Sequence, residues 1–252
     1  SMLTGIAIQQ GLIKETNQPV KELLPASFFY LRDERTRNIS VGHILTMSLG
    51  LEWSDGQEWV GWSRSRDWKA NLLTKPQIHP PGTQFEYCTA CSHLLSEIIT
   101  SVSNRNTLDY AKEYLFTPLN IGVETWITSP SGVPAGGHGL HLRPRDLAKL
   151  GYLYLNQGRW ESKQIVPASW VQRSTAPAAT LNQWIGYGYQ WWTASINGIN
   201  SYYASGYGGQ SVWVTPSLGL VVVVTSATNK KPQNIDMARL VHERILGEKI
   251  SH

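Results

Sequence analysis

The residues with the best claim to chemistry in this chain cluster around Tyr87. Pro80-Pro81-Gly82 makes a turn, and Thr83-Gln84-Phe85-Glu86-Tyr87 leads from it into an apolar run, Leu94-Leu95 with Ile98-Ile99, that reads as a helix. A tyrosine at such a junction is either packing or a proton-transfer group, since a phenol with a pKa of about 10 can donate a proton or be tuned to accept one. Cys88 and Cys91 follow at once as a C-x-x-C. Zinc would need further soft ligands, and no second C-x-x-C or close histidine pair supplies them. A thioredoxin-type redox motif would need a βαβ setting that the pattern lacks, so the pair reads as small buried packing residues one helical turn apart. The remaining chemical types are dispersed. His43, His138 and His141 have no evident serine partner. There is no G-x-S-x-G, no H-E-x-x-H, and no serine three residues before a lysine. Gly136-Gly137-His138-Gly139-Leu140 lacks the Lys-Ser/Thr ending of a phosphate loop.

The elements that must position Tyr87 can be placed from pattern. Leu3 to Ile13 reads as a helix ended near Gly11, and Ser40 as the N-cap of a helix over Val41–Thr46 that stops near Gly50. From Leu51 to Thr74 runs a polar stretch with Trp53, Trp59, Trp62 and Trp68, expected to be a surface loop or short-helix segment. It serves either as a lid over an apolar or cyclic group or as a plug against the body. Further helices are expected from Thr107 to Leu115, from Pro144 with Leu147, Leu150, Leu153 and Tyr154 on one face, and from Pro167 to Val171. After about residue 180 the pattern turns to period two. Tyr187–Trp192, Tyr202–Ser205, Ser211–Val214 and Leu218–Ser226 read as strands of an antiparallel meander, closed by an amphipathic helix over Gln233–Gly247. Helices first and an antiparallel sheet last give an α+β class, expected as one domain over residues 1–252. Its helical and loop part takes roughly residues 14–180, and its sheet plus C-terminal helix roughly 181–252.

Composition narrows the function classes. The chain has 252 residues, 41% of them hydrophobic, enough for a sizeable core. No run approaches the roughly 18 apolar residues of a membrane span. The net charge of +4 comes from scattered basic residues, which fits a solvated surface and not a nucleic-acid partner. The apolar start Ser1–Ile8 carries no charged leader or cleavage site, so no signal peptide is read; localisation is taken no further than bacterial periplasm or cytoplasm. No metal or cofactor is expected.

Four stretches together resemble the serine β-lactamase-like superfamily, in the branch of class C-type enzymes, related esterases and 6-aminohexanoate-dimer hydrolases. They are Ile39–Leu51, with its Ser48-Leu49-Gly50-Leu51 ending; Pro81–Tyr87, leading into the Y-x-N element; Gly136–Gly151; and Ala204-Ser205-Gly206-Tyr207-Gly208-Gly209-Gln210, in the place of the K-T-G or H-T-G strand. The similarity runs the length of the chain in the right order. It implies a β-lactamase/transpeptidase-like fold, with an antiparallel sheet, flanking helices and a mostly helical subdomain. The implied activity is a serine hydrolase that opens ester or amide bonds through an acyl-enzyme. Tyr87 would be the proton shuttle and Tyr207 the backbone oxyanion donor. Thr89, Ser205, Gly206, Gly208 and Gln210 would line the substrate. The partner would be a small-molecule ester or amide.

The departures from the family pattern also carry information. The resemblance implies that Ser1-Met2-Leu3-Thr4 continues the S-x-x-K helix, so that nucleophile, lysine and the N-terminal strands lie outside this chain and a preceding segment or second chain completes the site. Thr89 stands where Asn is usual, which changes the polar contact to substrate. Ala204 replaces Lys or His, which disfavours a penicillin-specialised enzyme and leaves room for an ester or amide hydrolase, including a D-alanyl-D-alanine peptidase. The alternative is a non-catalytic binding protein or pseudoenzyme on the same fold. The chain alone is expected to be inactive on p-nitrophenyl butyrate and to fold marginally, with an exposed sheet edge.

Overall fold

The computed structural model describes residues 1–29, 31, 33–227 and 241. The expected helix over Gln233–Gly247 lies outside the described residues. The chain divides into two compact units, Ser1–His141 and Leu142–His252. Together they give the α+β class, with helices concentrated in the first and an antiparallel sheet in the second.

The first unit runs α1 (Met2–Gln9), α2 (Val20–Leu23), α3 (Pro25–Phe28), α4 (Glu34–Arg37), α5 (Val41–Leu45), α6 (Asp55–Ser63), α7 (Trp68–Leu73), α8 (Thr89–Ser103) and α9 (Thr107–Ala111). A π-turn over Lys112–Phe116 follows, and a short ribbon of β1 (Thr125–Trp126) and β2 (Leu140–His141) closes the unit. Helix α8 is its axis. Every residue from Ala90 to Ile99 is buried, because α1, α2, α5, α6, α7 and α9 surround it. Leu94 and Ile98 are fully enclosed, and each such side chain contributes about 1.5–3 kcal/mol of burial.

Helix α5 starts as the sequence predicts. Ser40 Oγ accepts the His43 N–H at 3.3 Å, and His43 Nδ1 accepts the Ser40 N–H at 3.2 Å, a reciprocal cap. The stretch over 51–74 takes the short-helix form of the two expected, and the plug in place of the lid. It is two helices, α6 and α7, and Trp53, Trp62 and Trp68 are buried, so these tryptophans plug the segment onto the body.

The second unit runs α10 (Pro144–Leu155), a two-residue ribbon of β3 (Arg159–Trp160) and β4 (Lys163–Gln164), α11 (Ala168–Thr175), and then six strands. These are β5 (Ala179–Thr180), β6 (Ile185–Tyr187), β7 (Trp192–Ile196), β8 (Ile199–Gly206), β9 (Gln210–Thr215) and β10 (Leu220–Val224). They form one sheet in the order β10-β9-β8-β7-β6-β5, every neighbour antiparallel, as a meander must be. Tyr187–Trp192, expected as one strand, is broken between β6 and β7. Gln190 has φ 62°, and Gly188 passes so close to α11 that a Cβ there would stand 2.3 Å from the Ser174 carbonyl oxygen. Helix α10 lies on β9 and β10, with Gly151 fitted against Val212, Val214 and Val221. Trp213, fully buried, stacks on Tyr203 at 4.3 Å between ring centroids and anchors a core with Ala194, Ile196 and Val241.

Candidate active site

Tyr87 is held by backbone on both sides. Upstream, the Gly82 N–H bonds to the Ser48 carbonyl and the Glu86 N–H to the Met47 carbonyl, each at 2.8 Å. This strings the Pro-Pro-Gly turn along the end of α5. Gly82 is required here, because it has φ 86° and a Cβ would meet the His43 ring at 3.0 Å. Downstream, Tyr87 stands one residue before the N-cap of α8, Cys88. Cys88 and Cys91 are buried as expected, but they form a disulfide, and Cys88 Sγ also accepts the Cys91 N–H at 3.0 Å. The first turn of α8 is therefore covalently closed. Two cysteines three apart at a helix start bring their Sγ atoms together, and packing alone does not separate that outcome from two free thiols.

The head of α8 has a second restraint that no sequence motif announced. Asp55, the first residue of α6, turns its carboxylate to α8. Oδ1 accepts the Trp53 indole N–H at 2.6 Å and the Thr89 N–H at 2.9 Å, and Oδ2 accepts the Thr89 hydroxyl at 2.5 Å. An anion at the amino end of a 15-residue helix is favoured by the helix dipole and by the unpaired first-turn N–H groups. Tyr87 is half-buried beside it. Burial, and then the Asp55 charge, push its phenol above the ordinary tyrosine value. The Thr89 hydroxyl, expected to face substrate, gives its proton to Asp55.

The Gly136–Gly139 turn has a packing task. A Cβ on Gly137 would lie 2.4 Å from the Thr89 carbonyl oxygen, and one on Gly136 would lie 2.2 Å from that of Ser92. The two glycines let this loop press onto the first turns of α8. It carries His138 into the tryptophan cluster, 4.6 Å from Trp59 and 5.5 Å from Trp68 between ring centroids. Burial, and then neighbouring His93, hold the His138 imidazole below its ordinary value. Beneath it, buried Glu97 joins His93 Nε2 at 3.3 Å and Lys69 Nζ at 2.9 Å. Burial pushes the Glu97 carboxyl up, but hydrogen bonds from His93 and Lys69, with their charges, outweigh it and hold it below the usual carboxylate value.

In the second unit, Ser205 and Gly206 end β8, and Tyr207-Gly208-Gly209 make the turn to Gln210 at the start of β9, with Gly206 paired to Gln210. Gly208 and Gly209 have φ of 80° and 87°, conformations that favour glycine. Ser205 is exposed, and Tyr207 is 76% exposed. The Gln210 amide is engaged at both ends by Ser226, its Nε2 donating to the Ser226 carbonyl at 2.6 Å and its Oε1 accepting the Ser226 N–H at 3.3 Å. The expected residues thus assemble in two groups. Tyr87 and Thr89 share the head of α8, and Ser205 through Gln210 share the β8–β9 turn. Asp55 is the residue that sequence reasoning missed. Its only signal was its place after Ser54 at a helix start.

Comparison with known proteins bears on this geometry. The family model described as Beta-lactamase matches residues 2–245. A 6-aminohexanoate-dimer hydrolase of Paenarthrobacter ureafaciens is 24% identical over 253 residues, covering 89% of this chain; the chain spans 62% of that relative's length. Among solved structures, an octameric penicillin-binding protein homologue from Pyrococcus abyssi superposes with a TM-score of 0.71 at 20% identity, over 98% of this chain and 64% of that one. A D-stereospecific amidohydrolase from Streptomyces superposes with a TM-score of 0.72 at 15% identity, over 98% and 84%. At these identities the structural likenesses speak for the fold.

Proposed function

From the premise that this chain belongs to the beta-lactamase family, we propose that it is the larger part of a serine hydrolase acting on a small ester or amide through an acyl-enzyme. The observation that carries the reading is Tyr87, a half-buried phenol fixed by backbone on one side and by a closed helix turn on the other, within a chain matched to the family over residues 2–245. The name of the Paenarthrobacter relative supports the amide side of the substrate class. No serine in these 252 residues precedes a lysine by three, so the nucleophile and its lysine belong to a segment outside them.

The chemistry then has a definite order. The serine Oγ attacks the carbonyl carbon and passes its proton to the lysine, while N–H donors stabilise the oxyanion. The C–O or C–N bond breaks as the Tyr87 hydroxyl gives a proton to the leaving group, and the lysine returns a proton to the phenolate. Water then attacks the acyl-enzyme, releases the acid and restores the serine. A non-catalytic binding protein is the second reading. One observation favours it, the commitment of the Thr89 hydroxyl to Asp55 where the family has an amide. The native coding sequence decides between them. An in-frame S-x-x-K ahead of Ser1 is expected, and its absence would select the binding protein.

A further inference from the structure

We propose that Asp55 is the positioning residue of Tyr87: its carboxylate docks the Trp53–Asp55 turn onto the first turn of α8, fixing where Tyr87 stands and which charge it faces. The inference rests on the hydrolase reading for its catalytic meaning, but its geometry is independent of that reading. Three donors converge on one carboxylate. Two belong to Thr89, two residues after Tyr87, and one to Trp53, two residues before Asp55. The Thr89 N–H is a first-turn donor of α8 that no residue of its own helix can accept, so Asp55 caps α8 from 34 positions away. Helix α6 has no side-chain cap from Ser54, and Asp55, in its first turn with Glu58, turns its carboxylate to α8 instead.

Two consequences follow for Tyr87. Only Tyr87 and Cys88 stand between the Glu86–Met47 hydrogen bond and the Thr89–Asp55 hydrogen bonds, so the Cα of Tyr87 has little freedom. A carboxylate held there also disfavours a second anion beside it, so Tyr87 rests as a neutral phenol. It is therefore a proton donor at rest, and it becomes an anion only while an opposing cation is present. Asp55 touches no reacting atom in this account; it acts through Tyr87.

The test is a pH titration of the chain carrying tyrosine labelled with carbon-13 at Cζ, followed by NMR, with the Tyr87 signal assigned by its loss in Tyr87→Phe. Neither nucleophile nor substrate is needed, so the result is separable from the presence or absence of hydrolysis. Tyr87 is expected to titrate above free tyrosine. Asp55→Asn should raise its acid dissociation constant by roughly three- to tenfold, and Asp55→Glu should recover part of the difference. Asp55→Ser, which keeps a capping oxygen without the charge, serves if Asp55→Asn does not fold. A wild-type midpoint at or below that of free tyrosine overturns the assignment. So does an unchanged midpoint in either folded, uncharged variant.

Discussion

Asp55 and Thr89 are joined twice, hydroxyl to Oδ2 at 2.5 Å and N–H to Oδ1 at 2.9 Å, across 34 residues of sequence. The pairing ties the tryptophan-bearing segment to the helix that presents Tyr87. The hydroxyl contributes to order at the head of α8, whatever it gives to substrate.

The glycine loop above that turn is a packing requirement. Gly137→Ala would place a Cβ 2.4 Å from the Thr89 carbonyl oxygen, and the contact is backbone, which cannot swing aside. The expected cost is about 2–3 kcal/mol of stability, read as a lower urea midpoint. Gly132→Ala is not a matched control, because Gly132 has φ 83°. Gly122→Ala is one, as it meets nothing within 4 Å and should leave the midpoint nearly unchanged. Equal midpoints for Gly137→Ala and Gly122→Ala would show that the loop does not press on α8 as described.

Glu97 lies under the aromatic cluster with His93 and Lys69 on either side of its carboxylate. Its folded-state pKa is depressed. The stability it adds is therefore present above the unfolded glutamate value, near 4.3, and is lost as pH falls through the lower folded value. Glu97→Gln should cost about 2–4 kcal/mol at pH 7, because it leaves Lys69 without its counter-charge. The gap from wild type should shrink in urea melts at successively lower pH below about 4. A gap that is constant with pH would mean that the glutamate charge plays no part.

The Cys88–Cys91 bond closes the first turn beside Tyr87. Denaturing the chain without reductant and alkylating it should add no label, whereas prior reduction should allow two. Reduction should lower stability by about 1–2 kcal/mol, as a short loop permits. Two labels without reductant would return the pair to the packing role expected from sequence.

Much of the fold was legible because its signals are local. The Ser40 cap, the proline at the start of α10 and the period-two runs of β8 and β9 each declare themselves within a few residues. The break between β6 and β7 was not legible, since it depends on Gly188 meeting α11. Likewise, lid and plug could not be separated for the tryptophans of 53–68, because their partners, His93 and His138, come from distant segments. Asp55 escaped for the same reason. A carboxylate that caps a helix from 34 residues away leaves no pattern in either neighbourhood. Tyr87 was found early because a turn, an aromatic and an apolar helix stand in sequence.

The most direct test of the account joins this chain to its native upstream coding segment and measures hydrolysis of p-nitrophenyl butyrate and of a short amide substrate. The joined protein should turn over at least one of them, and Tyr87→Phe should lower kcat by roughly 10²–10⁴-fold, as expected for a group that transfers a proton in the transition state. The chain of residues 1–252 by itself should show no turnover above its own Tyr87→Phe control. Full activity in the joined Tyr87→Phe protein, or no activity in the joined wild type when its fold is intact, would contradict it.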